Sequence, residues 1–172
     1  MADGTFAALL LVFGLGDMAL NHCGSESGCL GRTQVEPRAA ISTGPVLFQE
    51  EPVGSEIYLR RDTSHRFGPF GTSFGVSVTD EGSIWFGAGW TRVWHFPGNA
   101  YVELHTMPGL YLQGSGVDLG GPIEFRSGIE IGLEANNQWR YSISYDHRSN
   151  AELYDRNPGL ETVQIRVSVP TR

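Results

Sequence analysis

From residue 43 to residue 169 the chain alternates apolar and polar residues with a period of two, in runs of eight to fifteen residues broken by Gly, Pro and Asn. That period belongs to β-strands, whose side chains point alternately to opposite faces, whereas a helix repeats every 3.6 residues. The runs are 43–50, 56–63, 70–79, 83–95, 100–113, 121–135, 138–149 and 161–169, and no helical apolar period of useful length follows residue 20. With 23 glycines and a turn signal at each break, eight strands predict a sandwich or barrel rather than a bundle. A chain of 172 residues that is 40% apolar supplies one core but hardly two.

The breaks are unequal. Asn136-Asn137 reads as a tight hairpin connection, while 114–120 and 150–160 are longer loops that fall at the same end of an even-stranded barrel. Short turns at one end and long loops at the other describe an outer-membrane barrel with both termini periplasmic. Pro108-Gly109 predicts a bulge or bend in its strand. Periodicity alone leaves open which face is outside, but 121–134 places Glu124, Arg126, Glu130 and Glu134 on one face and Ile123, Phe125, Ile129, Ile131 and Leu133 on the other. With Arg140 from the next strand, the charged face suits a compensated interior and the apolar face suits lipid. Trp85, Trp90, Trp94, Trp139 and Tyr141 would then suit interfacial girdles, and buried packing in a soluble sheet is an equally ordinary use for each. The reading is therefore an all-β, eight-stranded antiparallel up-and-down outer-membrane barrel over 43–172, after a leader segment at 1–20 and an N-terminal periplasmic segment at 21–42.

One strand pair carries chemistry. In 138–149, Trp139, Tyr141, Ile143 and Tyr145 form the apolar face, which His147 and Ser149 continue. Two steps along a strand separate Cα atoms by about 6.6 Å, within reach of an imidazole and a hydroxyl. In the next strand Glu161 shares the face of Val163, Ile165, Val167 and Val169. In a hairpin, facing Cβ atoms lie about 4.5–5.5 Å apart, so Glu161 reaches His147. Base, nucleophile and carboxylate are the parts of a serine hydrolase, although His, Ser, Glu matches no familiar chain order.

The signature His147-x-Ser149-Asn150, followed by Asn157-x-Gly159-x-Glu161, resembles the active-site pattern of the outer-membrane lipid A 3-O-deacylases of the PagL type. The resemblance is strongest over about the last fifty residues, Glu124-Phe-Arg-Ser included. It implies a serine esterase that removes the 3-O-acyl chain of lipid A in lipopolysaccharide, in the outer membrane of a Gram-negative cell. It further implies His147 as base, Ser149 as nucleophile, Glu161 as orienting carboxylate, and Asn150 and Asn157 with local backbone N–H groups as oxyanion or substrate-binding donors. No metal or organic cofactor is required. Arg148 and Arg156 flank the site as candidates for substrate phosphates, though exposed loop arginines commonly bind nothing specific.

A net charge of −7 and a pI of about 5.1 argue against nucleic acid as partner. All twelve basic residues are arginine, which suits phosphate contacts but follows equally from codon bias. Phe6 to Leu15 has the length of a signal-peptide core, too short to span a bilayer, yet Asp3 precedes it and no basic residue does. The chain ends Val-Pro-Thr-Arg172 instead of in the terminal aromatic common to outer-membrane barrels. Cys23 and Cys29 suit a small disulfide loop in an oxidising compartment; acylation at Cys23, or loss of both with a leader, are the alternatives. His22, His65, His95 and His105 are scattered, with no zinc-site spacing. Association into a homo-oligomer is left open. Three other functions stand beside the deacylase: another lipid esterase or phospholipase, a non-catalytic small barrel, and a soluble lipocalin-like binder with Ile129, Ile131 and Ile143 turned inward.

Overall fold

A computed structural model describes residues 4–171, so Asp3 and Arg172, on which two of these expectations rest, lie outside it. The alternating runs form strands β2 (Arg38–Phe48), β3 (Glu51–Phe67), β4 (Phe70–Thr79), β5 (Ile84–His95), β6 (Ala100–Leu112), β7 (Ile123–Glu134), β8 (Arg140–Ser149) and β9 (Leu160–Pro170), preceded by a short β1 (Arg32–Gln34). Each of β2 to β9 pairs antiparallel with its sequence neighbour, and β2 also pairs with β9, closing an eight-stranded up-and-down barrel. The barrel begins at Arg38, five residues ahead of the expected 43, because Arg38 already pairs with both Asp62 and Pro170. β1 pairs with the end of β3, so the segment expected before the barrel is partly sheet.

Turns at 49–50 and 80–83 share one end with the loops 113–122 and 150–159, and the strand ends Arg38 and Pro170 lie at the opposite end. Gln49 and Glu50 both take positive φ, 52° and 70°, as a two-residue primed turn requires. The connection at Asn136-Asn137 is one residue longer than a two-residue turn: Gln138 takes φ 65° and donates its N–H to Ala135 O at 2.8 Å. Pro108-Gly109 makes no bulge. β6 loses its ladder to β5 between Thr106 and Gly109, where Pro108 has no N–H to donate, and resumes in the same register.

The faces divide as the charges demand. Glu56, Arg60, Glu103, His105, Arg126, Glu130, Asp146, Arg148 and Arg166 are buried in the lumen. They pair there, Arg126 with Glu56 at 2.8 Å and with Asp146 at 2.9 Å, and Arg60 with Glu103 at 2.5 Å. Buried charge is tolerated only when paired and hydrogen-bonded, and a closed ring of strands brings opposite signs together. Ile131, Leu133, Ile143 and Ile165 face outward, Ile143 62% and Ile165 70% exposed, as a lipid-facing wall requires. Trp90, Trp94, Trp139 and Tyr141 share that outer wall, but Trp85 does not. It is fully buried in the lumen, where its indole donates to Glu124 O at 3.2 Å, because the alternation in β5 turns odd positions inward.

The apolar segment at the amino terminus forms helix α1 (Thr5–Asp17), continued by a π-helical turn over Met18–His22. Together they make 18 residues, long and apolar enough to cross a bilayer by length and composition, more than the Phe6–Leu15 core alone suggests. The helix lies on the outer wall: Phe6 packs against Tyr145 with ring centroids 5.7 Å apart, Leu10 is buried, and Asp17 pairs with Arg92 at 2.9 Å. Cys23 and Cys29 form a disulfide in the loop that follows.

Candidate active site

β8 runs towards the end that carries the two long loops, and its last outward positions are His147 and Ser149. They sit on the wall face, yet both are buried, His147 to 3% and Ser149 to 9% exposure. Register explains the neighbours. His147 stands directly opposite Glu161 of β9 on one side and Ser127 of β7 on the other, and Ser149 stands opposite Phe125. Cross-strand partners are the closest side chains in a sheet, and His147 Nδ1 donates to Glu161 Oε1 at 3.0 Å. The other ring nitrogen, Nε2, is buried and has no hydrogen-bond partner.

The loop 150–159 closes over this pair. Gly159 takes φ +75°, and a Cβ added there would lie 2.8 Å from His147 Cε1, so only glycine lets the chain turn this tightly against the imidazole. Gly159 stands in the signature Asn157-x-Gly159-x-Glu161, but no role was expected of it; its contact with the imidazole comes from the fold.

The remaining expected residues divide. Asn150 is fully buried, and both N–H donors of its side chain are taken, by Leu119 O at 2.8 Å and Arg156 O at 2.6 Å. Its side chain therefore ties the two long loops together and has no N–H left for an oxyanion. Asn157 is exposed; its Oδ1 accepts the Asn150 backbone N–H at 3.0 Å, an arrangement that leaves its NH2 group free to point away from the loop. Arg148 turns into the lumen, 1% exposed, and pairs with Glu56, so it meets no substrate phosphate: it stands at an even position between two outward residues. Arg156 is exposed and pairs with Asp118 at 2.9 Å.

Chemically, an imidazole held by a carboxylate at Nδ1 and unpartnered at Nε2 is set to take a proton from a neighbouring hydroxyl. Among the described residues no group of three or more His, Cys, Asp or Glu is arranged to hold a metal ion.

The sequence model of one protein family, PagL (lipid A 3-O-deacylase), matches residues 70–170, which include β4 to β9 with His147, Ser149, Asn150, Asn157 and Glu161. No curated protein sequence matches the chain. Among solved structures, the chain is similar to the outer-membrane enzyme PagL, with 18% identity and a TM-score of 0.65 over 78% of this chain and 99% of that one. It is also similar to a de novo designed transmembrane β-barrel, at 7% identity and TM-score 0.60, covering 81% of this chain and 98% of that one. Neisserial surface protein A follows at 11% and 0.54, covering 82% and 99%. At these identities the structures share the fold.

Proposed function

We propose, from the premise that this chain belongs to the PagL family of lipid A 3-O-deacylases, that it cleaves the 3-O-acyl ester of lipid A with His147 as base, Ser149 as nucleophile and Glu161 as orienting carboxylate. The family makes the chain an ester hydrolase of the outer membrane. The observation that carries the residue assignment is the His147 ring, bonded to Glu161 through Nδ1 and buried without a partner at Nε2.

In this reading Ser149 Oγ turns onto His147 Nε2 and loses its proton there as the oxygen attacks the ester carbonyl. The imidazolium that forms is stabilised by Glu161, which also fixes the tautomer that leaves Nε2 free to accept. His147 then returns the proton to the departing lipid A hydroxyl, and the acyl chain remains as an ester on Ser149. Water, deprotonated by the same nitrogen, releases the fatty acid. The Asn157 NH2 group and backbone N–H groups of the 150–159 loop supply donors for the tetrahedral oxyanion. One such donor is typically worth about 10²–10³ in turnover.

The position of the site supports a membrane lipid as substrate. His147, Ser149 and Glu161 lie on the outer wall, at the end with the long loops, which in this class of barrel is extracellular. An ester in the outer leaflet reaches them without leaving the bilayer, whereas the lumen is filled with paired charges. Mass spectrometry of lipid A from cells expressing the chain or its Ser149→Ala variant tests the reading. One ester-linked acyl chain is lost with the parent and retained with the variant. Unchanged lipid A in both, with the barrel folded in the outer membrane, would sink it.

A further inference from the structure

We infer that Glu56 is a positioning residue for this reaction, holding the His147–Ser149 segment from inside the barrel through Arg148. The inference rests on the assignment of His147, Ser149 and Glu161 above.

The nucleophile stands where the sheet stops. Towards β7, the ladder of β8 ends at the Ser149–Phe125 pair; towards β9, it already ends at Arg148–Leu160. Ser149 is therefore flanked by paired backbone on one side only, and the strand end needs another restraint to hold its hydroxyl within reach of His147. The alternation of β8 supplies it, because the residues either side of His147, Asp146 and Arg148, both point into the lumen.

Both are held by one cluster centred on Glu56. Arg148 Nη2 donates to Glu56 Oε2. Glu56 Oε1 accepts from Arg126 Nη1 at 2.8 Å and from Gln164 Nε2, on β9, at 2.9 Å. Arg126 Nη2 in turn donates to Asp146 Oδ2 at 2.9 Å, and His105 Nε2 lies 2.6 Å from Asp146 Oδ1. Glu56 belongs to β3, separated from β8 in the sheet by β2 and β9. Its carboxylate thus reaches across the barrel to a strand it does not neighbour. It is fully buried and on the opposite side of the wall from Ser149, so it touches neither substrate nor reacting atoms.

The charges explain why this carboxylate matters to Arg148 in particular. Glu56 and Asp146 balance Arg126 and Arg148. Arg126 has Asp146 as a second partner, but Arg148 pairs with Glu56 alone, and its Nη1 has no partner. Neutralising Glu56 removes the one ion pair of Arg148 and leaves Glu124, a buried carboxylate that bonds nothing, as the other negative charge it feels; the guanidinium shifts, and the strand end carrying Ser149 moves with it. The ladders on both flanks of β8 keep the barrel closed without this pair, so the fold survives while the alignment of Ser149 does not. A displacement of about 1 Å in a reacting group is enough for a 10²-fold loss.

The test uses the full chain refolded in detergent micelles. For the parent, Glu56→Gln, Arg148→Gln and the double variant, it measures kcat and KM on lipid A and the labelling rate of Ser149 with a fluorophosphonate. For Glu56→Gln the expected result is a fall of about 10–100-fold in kcat and in labelling rate, with KM within about twofold and heat-modifiable gel mobility unchanged. Arg148→Gln behaves alike, and the double variant is no worse than the poorer single one, because one tie is cut from either end. Unchanged kcat and labelling, a change confined to KM, or additive losses in the double variant would overturn the inference. So would loss of the folded barrel in both single variants, which would make the pair purely structural. Ser149→Ala in the same assay separates the two readings: labelling that survives it removes the nucleophile assignment itself.

Discussion

The two faces of β8 set their polar groups among different neighbours. Inward, Asp146 and Arg148 are buried and tied into the lumen network, and every strand that supplies a partner is thereby held to β8. Outward, His147 and Ser149 are nearly as buried, yet among the described residues the only side-chain partner of the imidazole is Glu161, and Nε2 is left without one. A buried polar atom without a partner is destabilising by about 1–3 kcal/mol. Arg148 Nη1 is also without a partner, but it is a donor among lumen charges, whereas His147 Nε2 is a nitrogen able to accept a proton and stands on the same face as Ser149. The lumen network steadies the strand from inside, and the wall face carries the proposed reacting groups.

If that contrast is right, substitutions on the wall face abolish turnover and leave the barrel folded, which heat-modifiable mobility on gels reports. The largest effect belongs to Ser149→Ala, for which a fall in lipid A deacylation of roughly 10⁶-fold is expected, by analogy with removal of a serine nucleophile. Residual activity within tenfold of the parent would mean that the nucleophile lies elsewhere. Glu161→Gln comes next. It keeps the shape but removes the acceptor that sets the tautomer of His147, and kcat falls by about 10⁴.

Smaller effects sharpen the division within the loop. Asn157→Ala removes the free NH2 group, and kcat drops by about 10²–10³ with KM little changed. A KM effect alone would make Asn157 a substrate contact. Gly159→Ala places a Cβ 2.8 Å from His147 Cε1 in a backbone region alanine resists, so the ring must shift by a few tenths of an ångström. The expected loss is on the order of tenfold, below the 10² that a full ångström brings. Equal activity would show that the loop yields and the imidazole does not.

Much of this was legible in the residues. The period of two, the turn residues and the uneven loops lead directly to eight antiparallel strands, since strand alternation is a local property of the chain. The same alternation assigned Glu124, Arg126 and Glu130 to one face, and all three lie in the lumen. It also placed His147, Ser149 and Glu161 on the other face, where the structure brings His147 and Glu161 into contact. Two outcomes, at Trp85 and Arg148, follow from the alternation within their own strands, and one, at Asn150, depends on distant partners. Trp85 was offered to a girdle or to buried packing by its residue type, and the alternation of β5 turns it inward. Arg148 was offered to a phosphate because it neighbours the site in sequence, although neighbours on a strand face opposite ways. Asn150 was read as a donor to substrate, although carbonyls of two loops, Leu119 O and Arg156 O, take both of its N–H groups.

The sequence by itself determined the strand content, the division of each strand into two faces and the residue types able to perform ester hydrolysis, because these follow from local spacing and side-chain chemistry. Only the tertiary structure decided that β2 meets β9, that Glu56 reaches Arg148 across 92 residues, and that Gly159 closes on the imidazole. Those outcomes depend on closure of the sheet and on which charges then face each other in its interior. No period along the chain encodes a partner on the far side of a barrel.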